Sequence, residues 1–169
     1  MSIHIRTLTA ALLACLALAG AAPGANAAAS RAAVPLTGPW FGPVRLLNPN
    51  SGRCLGIANG NAGIWDCTTR PDQEWSVGSP SGNLFLIENG DNQCLNVSGG
   101  QGAQVIASLC NLTGNMFWSY ATDANGHRVI KNEQTRMILG VYGGRTANGS
   151  EVVQWADTDG ADQDWALRP

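Results

Sequence analysis

The chain has 169 residues, of which 10 are lysine or arginine and 12 are aspartate or glutamate, so its formal net charge is −2. Nucleic-acid binding depends on clustered basic residues that neutralise phosphates, and Lys131 is the only lysine in the chain. This composition excludes a nucleic-acid partner and an anionic membrane surface from our predictions.

Residues 1–27 have the pattern of a secretory signal peptide. Arg6 is the only charged residue before the apolar run 8–20, and the small residues 25–27 follow it. The run is shorter than the roughly 20 apolar residues that a membrane-spanning helix needs. Lipid attachment at Cys15 is disfavoured because the apolar run continues past it. We therefore predict a secreted, extracellular protein with no membrane partner.

The remaining chain is predicted to be one domain preceded by a short arm. Residues 28–39 are rich in alanine and proline and have no apolar period, which is typical of an N-terminal arm. Removing the leader leaves about 140 residues, an ordinary size for one domain with its own core. We predict that residues 40–169 form this domain.

Four cysteines remain after the leader: Cys54, Cys67, Cys94 and Cys110. An even number in an exported chain favours disulfides, although four cysteines allow three connectivities. The pairs 54–67 and 94–110 would close loops of similar length, each contributing about 3 kcal/mol to stability. The alternative, a zinc site, lacks C-x-x-C spacing and has only His127 as a mature histidine.

One unit recurs three times with a period of roughly 40 residues. Similar apolar segments begin the units at 53–57, 93–97 and 137–141, and glycine-rich turns follow them. Each unit ends in a tryptophan after a similar tripeptide frame, as in Gln73-Glu74-Trp75, Met116-Phe117-Trp118 and Gln163-Asp164-Trp165. The domain is therefore predicted to consist of three degenerate copies of one unit.

Within each unit the apolar residues alternate over short runs between Asn-Gly, Ser-Gly and Gly-Gly turns. This pattern predicts about four short strands per repeat and no helix, because no segment sustains a period of 3.6 residues. Three such units must share one core around a pseudo-threefold axis. Trp75, Trp118 and Trp165 occupy equivalent places and are predicted to pack in that core.

These repeats resemble the ricin B-type lectin family, with its QxW repeats and β-trefoil fold, over about residues 40–169. The resemblance implies an all-β trefoil of three repeats, with one disulfide in a repeat, here Cys54–Cys67 and Cys94–Cys110. It also implies one shallow sugar pocket per repeat, no cofactor, and a carbohydrate partner that is galactose-type or a polysaccharide. Neither the sequence nor the resemblance indicates an oligomeric state.

The residues that match the family's sugar site are retained unevenly. The family's carboxylate directly after Cys-Leu is replaced by Gly56, Asn96 and Gly140. The position of the aromatic ring holds Trp65, Ser108 and Trp155. The polar residue before Gln-x-Trp is Asp72, Asn115 and Asp162. The third repeat also has Ile138 and Asp157 at the cysteine positions.

A hexose presents a C–H face that packs on an aromatic ring, and hydroxyls that donate to carboxylates or pair with amides. We therefore predict that Trp65 with Asp72, and Trp155 with Asp162, form two candidate sites. The second repeat, with Asn96, Asn115 and no ring, should bind least. Two alternatives stay open: Trp65 only packs beside Cys67, and the two aspartates only cap their turns.

The predicted function is weak, non-catalytic carbohydrate binding. An alternative is a trefoil that has lost sugar binding and acts as a protein-interaction or inhibitor module. No serine or cysteine nucleophile lies in a recognisable frame, although carboxylate pairs leave an extracellular glycoside hydrolase as a third possibility. The carboxylates of residues 157–164 alternate as in a calcium loop, but the final glutamate is missing, so we predict no metal.

Overall fold

The computed structural model describes residues 40–81, 84–122, 126 and 128–169. The predicted signal peptide 1–27, the predicted arm 28–39 and His127 lie outside the described residues.

The described part of the chain forms twelve β-strands, four from each repeat, with only short 3-10 turns as helical elements. The first repeat contains β1 (Trp40–Asn48), β2 (Arg53–Ala58), β3 (Asn61–Trp65) and β4 (Trp75–Ser81). The second contains β5 (Leu84–Asn89), β6 (Gln93–Val97), β7 (Val105–Leu109) and β8 (Trp118–Thr122). The third contains β9 (Arg128–Asn132), β10 (Ile138–Val141), β11 (Ser150–Trp155) and β12 (Ala166–Arg168).

The first and last strands of the repeats pair antiparallel in the order β12, β1, β4, β5, β8 and β9. The two middle strands of each repeat form the hairpins β2–β3, β6–β7 and β10–β11. The hairpins meet one another through β3–β7, β3–β11 and the bridge between Gln104 and Val153. This is a β-trefoil with pseudo-threefold symmetry, which confirms the predicted fold class.

Gln104 joins the three hairpins where they meet. Its Nε2 donates to the carbonyl oxygens of Ala62, Val105 and Val152, at distances of 2.7, 2.9 and 2.9 Å. These three residues occupy the same position in the three hairpins, since each pairs with the Ile or Val that ends the repeated apolar segment, namely Ile57, Val97 and Val141. One amide therefore satisfies backbone groups from all three repeats at the pseudo-threefold centre.

The last tryptophan of each repeat lies in the shared core. Trp75, Trp118 and Trp165 are fully buried and belong to one cluster of apolar side chains. Each indole Nε1 donates to a leucine carbonyl of its own repeat, namely Leu55 at 3.0 Å, Leu95 at 2.9 Å and Leu139 at 2.9 Å. A buried indole N–H needs such a partner, so the repeated Trp and Leu fix each hairpin against the core.

Disulfides join Cys54 to Cys67 and Cys94 to Cys110, as the resemblance implied. Each links the start of the middle hairpin to the segment after it. In the third repeat the buried Ile138 stands in the first cysteine's place and pairs with Trp155. That segment therefore depends on non-covalent contacts alone.

Candidate functional site

The glutamine of each Gln-x-Trp frame holds the segment that follows the third strand of its repeat. Gln73 Oε1 accepts from the Thr68 N–H at 2.8 Å, and Nε2 donates to the Asp66 carbonyl at 3.2 Å. In the third repeat, Gln163 Oε1 accepts from the Thr158 N–H at 2.9 Å, and its Nε2 donates to a carbonyl at 2.7 Å. Both glutamines are buried. Their hydrogen bonds hold in place the segment that forms one wall of the cleft in each of these two repeats.

The first-repeat cleft has a volume of about 560 Å³ and lies between the β2–β3 hairpin and the 3-10 turn Pro71–Gln73. It brings the two predicted residues Trp65 and Asp72 together. Residues from the other two repeats, Asp91 and Asn148, also line it. The remaining lining residues are Ile57, Ala58, Asp66, Thr68, Arg70 and Gln73.

The Trp65 ring lies against the two paired glycines of the β2–β3 hairpin. A Cβ atom at Gly63 would lie 2.6 Å from Trp65 Cη2, and one at Gly56 would lie 3.2 Å from Trp65 Cε3. Gly56 and Gly63 face each other in the register of the hairpin. The half-buried ring therefore extends across the position where the family has its carboxylate.

Charged groups in the first-repeat cleft are largely paired. The Asp72 carboxylate lies 3.6 Å from Arg70 Nε, with 28% of its side chain exposed. Asp66 Oδ1 lies 3.5 Å from Arg53 Nε, and its Oδ2 accepts from Asn148 Nδ2 at 2.9 Å. A sugar hydroxyl that donates to Asp72 would therefore share the carboxylate with Arg70.

The third-repeat cleft has a volume of about 390 Å³ and lies between the β10–β11 hairpin and the 3-10 turn Ala161–Gln163. It brings the predicted pair Trp155 and Asp162 together. Among the described contacts, the Asp162 carboxylate has neither a hydrogen bond nor an ion pair. Its oxygens are therefore free to accept from a ligand. The other lining residues are Gly140, Val141, Tyr142, Gly143, Gly144, Val153 and Thr158.

The Trp155 ring has a different position from that of Trp65. The three atoms nearest to a Cβ at Gly140 belong to Gln163 and Asp162, and none belongs to Trp155. The residue paired with Gly140 is Val153, where the first repeat has a glycine. The ring lies instead toward the second repeat, where a Cβ at Gly102 would be 3.1 Å from Trp155 Cζ3.

The two predicted residues of the second repeat already have partners. Asn96 is 4% exposed, and its Nδ2 donates to the Ser108 hydroxyl. The Asn115 amide oxygen accepts from the Thr113 hydroxyl. Ser108 thus bonds to Asn96 at the position where the other repeats carry a tryptophan.

Neither aspartate caps its own turn. The residues that precede the two 3-10 turns, Arg70 and Gly160, make no side-chain cap hydrogen bond. Neither the Asp72 nor the Asp162 carboxylate accepts a backbone N–H among the described contacts. This geometry disfavours the turn-capping alternative for both residues.

The sequence reasoning missed Tyr142, Asn148 and Asp91 as cleft residues. Asn148 and Asp91 line the first-repeat cleft although they belong to the other two repeats. A search for site residues within each single repeat could not find them. Tyr142 could have been found from loop length. Residues 142–151, ten in all, lie between the paired Val141 and Val152. The corresponding connection in the first repeat has four residues, 58–61.

The two groups with a clearly shifted pKa, Glu88 and Tyr120, do not line either cleft. Burial raises the pKa of the Glu88 carboxyl. Burial is also the main reason that the pKa of the Tyr120 hydroxyl is raised. Among the described residues there is no cluster of three or more His, Cys, Asp or Glu side chains that could hold a metal ion. In the same part of the chain, no helix has the length and apolarity needed to cross a membrane.

Residues 42–165 match the family model of the ricin-type beta-trefoil lectin domain. The chain therefore belongs to this family of lectin domains, which are generally non-catalytic. No curated protein sequence shows a significant match to the chain.

Solved structures share the fold at low sequence identity. The designed threefold-symmetric protein ThreeFoil is 21% identical with a TM-score of 0.70, over 75% of this chain and 97% of that one. An exo-β-1,3-galactanase from Clostridium thermocellum is 24% identical with a TM-score of 0.69, over 74% of this chain and 29% of the enzyme. The Macrolepiota procera ricin B-like lectin, in complex with lactose, is 18% identical with a TM-score of 0.67, over 78% and 96%.

Proposed function

We propose that this chain is a secreted, non-catalytic carbohydrate-binding protein whose principal site is the third-repeat cleft. Membership of a lectin family supports carbohydrate binding in general. The observation that carries the assignment to this cleft is the unpaired Asp162 carboxylate beside the partly exposed Trp155 ring. These two groups match the two faces of a sugar, its C–H surface and its hydroxyls.

The first-repeat cleft is proposed as a second, weaker site. It has the same pair of residue types, Trp65 and Asp72, but the ring packs on its own hairpin and the carboxylate faces Arg70. Binding there must displace or share these contacts, and each displaced contact reduces the net affinity. The second repeat is proposed to bind least, because Asn96 and Ser108 satisfy each other.

The proposed ligand is a galactose-type sugar or a polysaccharide that contains it. Two of the structural neighbours support this class, one solved with lactose and one named for its action on a β-1,3-galactan. Affinity per site should be weak, since both clefts are shallow and exclude little water.

Export, domain limits and the lack of catalysis are parts of the same proposal. The two disulfides support an oxidising, extracellular location for the chain, whose residues 1–27 we assign to a signal peptide and 28–39 to an arm. The galactanase shows that this fold also occurs within enzymes, and our chain spans 29% of it. We propose that the present domain, residues 40–169, binds sugar without cleaving it.

A glycan array with the exported protein tests this function, beside an activity screen on polysaccharides. Trp155→Ala should weaken binding about fivefold to tenfold, the worth of one ring stack, and Trp65→Ala should weaken it less. Trp155→Phe keeps a ring and is the matched control. Unchanged binding by both alanine variants and by the double variant would show that neither cleft holds the sugar.

The second candidate is a trefoil without sugar binding that acts as an interaction or inhibitor module. The Trp65 ring lying across Gly56, at the position of the family's carboxylate, favours it. A folded parent protein that binds no glycan on the array would support this candidate and contradict our first proposal.

A further inference from the structure

The connection between β10 and β11 adds a second aromatic ring to the third-repeat cleft. This connection is longer than its counterparts, which have four residues in the first repeat and seven, 98–104, in the second. It begins with the 3-10 turn Tyr142–Gly144, in which Gly143 and Gly144 have φ values of 62° and 65°. These left-handed conformations suit glycine and bring Tyr142 to the mouth of the cleft.

The Tyr142 ring contacts two neighbouring side chains. Its centroid lies 6.2 Å from that of Trp155, with the ring planes inclined at 64°. The Arg145 guanidinium carbon lies 5.1 Å from the Tyr142 centroid, within the range of a cation–π contact. Farther along the connection, Asn148 Oδ1 accepts from Arg53 Nε at 2.6 Å and from the Asp66 N–H at 2.9 Å. The connection is thus tied to the first repeat.

These contacts leave part of the Tyr142 ring and its hydroxyl available to a ligand. Tyr142 is 40% exposed, and no described group forms a hydrogen bond with its hydroxyl. An ordered, exposed ring with a free hydroxyl offers a stacking surface and a polar contact at small entropic cost. Trp155 and Asp162 are proposed to hold one sugar, and the Tyr142 ring offers a further stacking surface beside them.

We propose that Tyr142 stacks a second sugar unit, so that the third-repeat cleft takes an oligosaccharide of at least two units. This inference rests on the proposed carbohydrate binding and adds a residue and a ligand length to it. Because the two ring planes are inclined, the ligand must turn at the linkage between its two stacked units. Arg145 acts as a positioning residue through its cation–π contact with the Tyr142 ring.

Calorimetric titration with sugars of increasing length tests this proposal. The probes are galactose with the β-1,3-linked and β-1,4-linked galactobiose and galactotriose. In at least one series the parent protein should gain about fivefold in affinity from one unit to two, and Tyr142→Ala should remove that gain. Tyr142→Phe should retain the gain. Trp155→Ala should weaken galactose and the longer sugars alike.

Phe41→Ala is the matched control, because Phe41 is 62% exposed and does not line either cleft. Tyr142→Ser serves as a second variant if the alanine variant does not fold. The proposal is overturned if the parent gains nothing with length, or if the gain persists in both Tyr142 variants. In those two cases galactose binding that depends on Trp155 would leave the proposed function standing. Failure of every probe to bind would contradict both.

Discussion

The first-repeat and third-repeat clefts are made from equivalent strands and carry a tryptophan and an aspartate at the same two positions, yet their rings lie differently. In the first repeat, Gly63 leaves room for Trp65 to settle on the hairpin. In the third, Val153 stands at that place and Trp155 lies toward Gly102. The residue across the hairpin therefore decides whether a retained tryptophan lies against its own hairpin or toward the neighbouring repeat.

The two clefts are also supported in different ways. The segment after β3 is held by Gln73 and by the disulfide from Cys67, whereas Gln163 holds the segment after β11, with no disulfide among the described residues. Below the third-repeat cleft, the buried Asn48 Nδ2 donates to the carbonyl oxygens of Asp162 and Asp164. A disulfide thus supports the segment beside the first-repeat cleft, whereas the buried amides of Asn48 and Gln163 support the third-repeat cleft.

Removing the first-repeat disulfide should have the largest effect on stability. Its cysteines are 13 residues apart in sequence, and Cys54→Ala with Cys67→Ala should lower the free energy of unfolding by about 3 kcal/mol. Urea unfolding measures this loss. Binding at the third-repeat cleft, measured in a Trp65→Ala background, should be retained in the folded double variant. A parallel loss of that binding would mean that the two clefts are not independent.

Replacing the buried asparagine at the end of β1 should cost more stability than replacing its counterpart at the end of β5. Asn48→Ala removes hydrogen bonds to the turn that carries Asp162 and should cost about 2 to 3 kcal/mol. Asn89, the last residue of β5, is the counterpart beside the first-repeat turn, where the following Gly90 N–H donates to the Pro71 carbonyl at 2.8 Å. Asn89→Ala should cost about 1 kcal/mol less, because the Asn89 Nδ2 is buried without a hydrogen-bond partner among the described atoms. Both are compared by urea unfolding. Equal losses in the free energy of unfolding would contradict the claim that Asn48 supports its turn more strongly than Asn89 does.

Exchanging the frame glutamines for methionine, the residue of the second repeat, should affect the third repeat more. Gln163→Met removes a donor to the Ala156 carbonyl and should cost about 1 to 2 kcal/mol. Gln73→Met should cost less, since the disulfide still restrains the same segment. Thermal unfolding and sugar titration check both variants. A larger effect at Gln73 would contradict the claim that the disulfide supports the first-repeat segment in addition to its glutamine.

Gly63→Val should make the first-repeat cleft resemble the third. The new side chain displaces the Trp65 ring, because a Cβ at this position would already lie 2.6 Å from it. In a Trp155→Ala background, sugar affinity should rise by up to about fivefold, with a stability loss of about 1 kcal/mol. Adding Trp65→Ala should abolish the gain. If affinity does not change, the position of the ring is not what weakens this cleft.

The sequence predicted the architecture well because its signals are local and repeated. Each repeat carries its own alternating strands, turn glycines and final tryptophan, so the fold class, the pairing of β2 with β3 and the burial of Trp75 follow from short-range patterns. The same repetition identified both tryptophan–aspartate pairs, which the structure brings together in two clefts.

Contacts between repeats could not be predicted in this way. Asn148 belongs to the third repeat but lines the first-repeat cleft, and Gln104 bonds to carbonyls of all three hairpins. The orientation of Trp65 and Trp155 also depends on the cross-strand neighbours Gly63 and Val153, whose effect appears only when the register is known. Side-chain direction is a property of packing, which repeat spacing does not encode.

The indole N–H signals of the ¹⁵N-labelled protein, titrated with β-1,3-galactobiose, test the central claim that the third-repeat cleft is the stronger site. Trp155→Phe and Trp65→Phe assign the two cleft signals. We predict that the Trp155 signal shifts at concentrations about fivefold or more below those that shift Trp65, because its site has an unpaired carboxylate beside the ring. The core signals of Trp75, Trp118 and Trp165 should not move. A Trp65 signal that shifts first, or together with Trp155, would contradict the account.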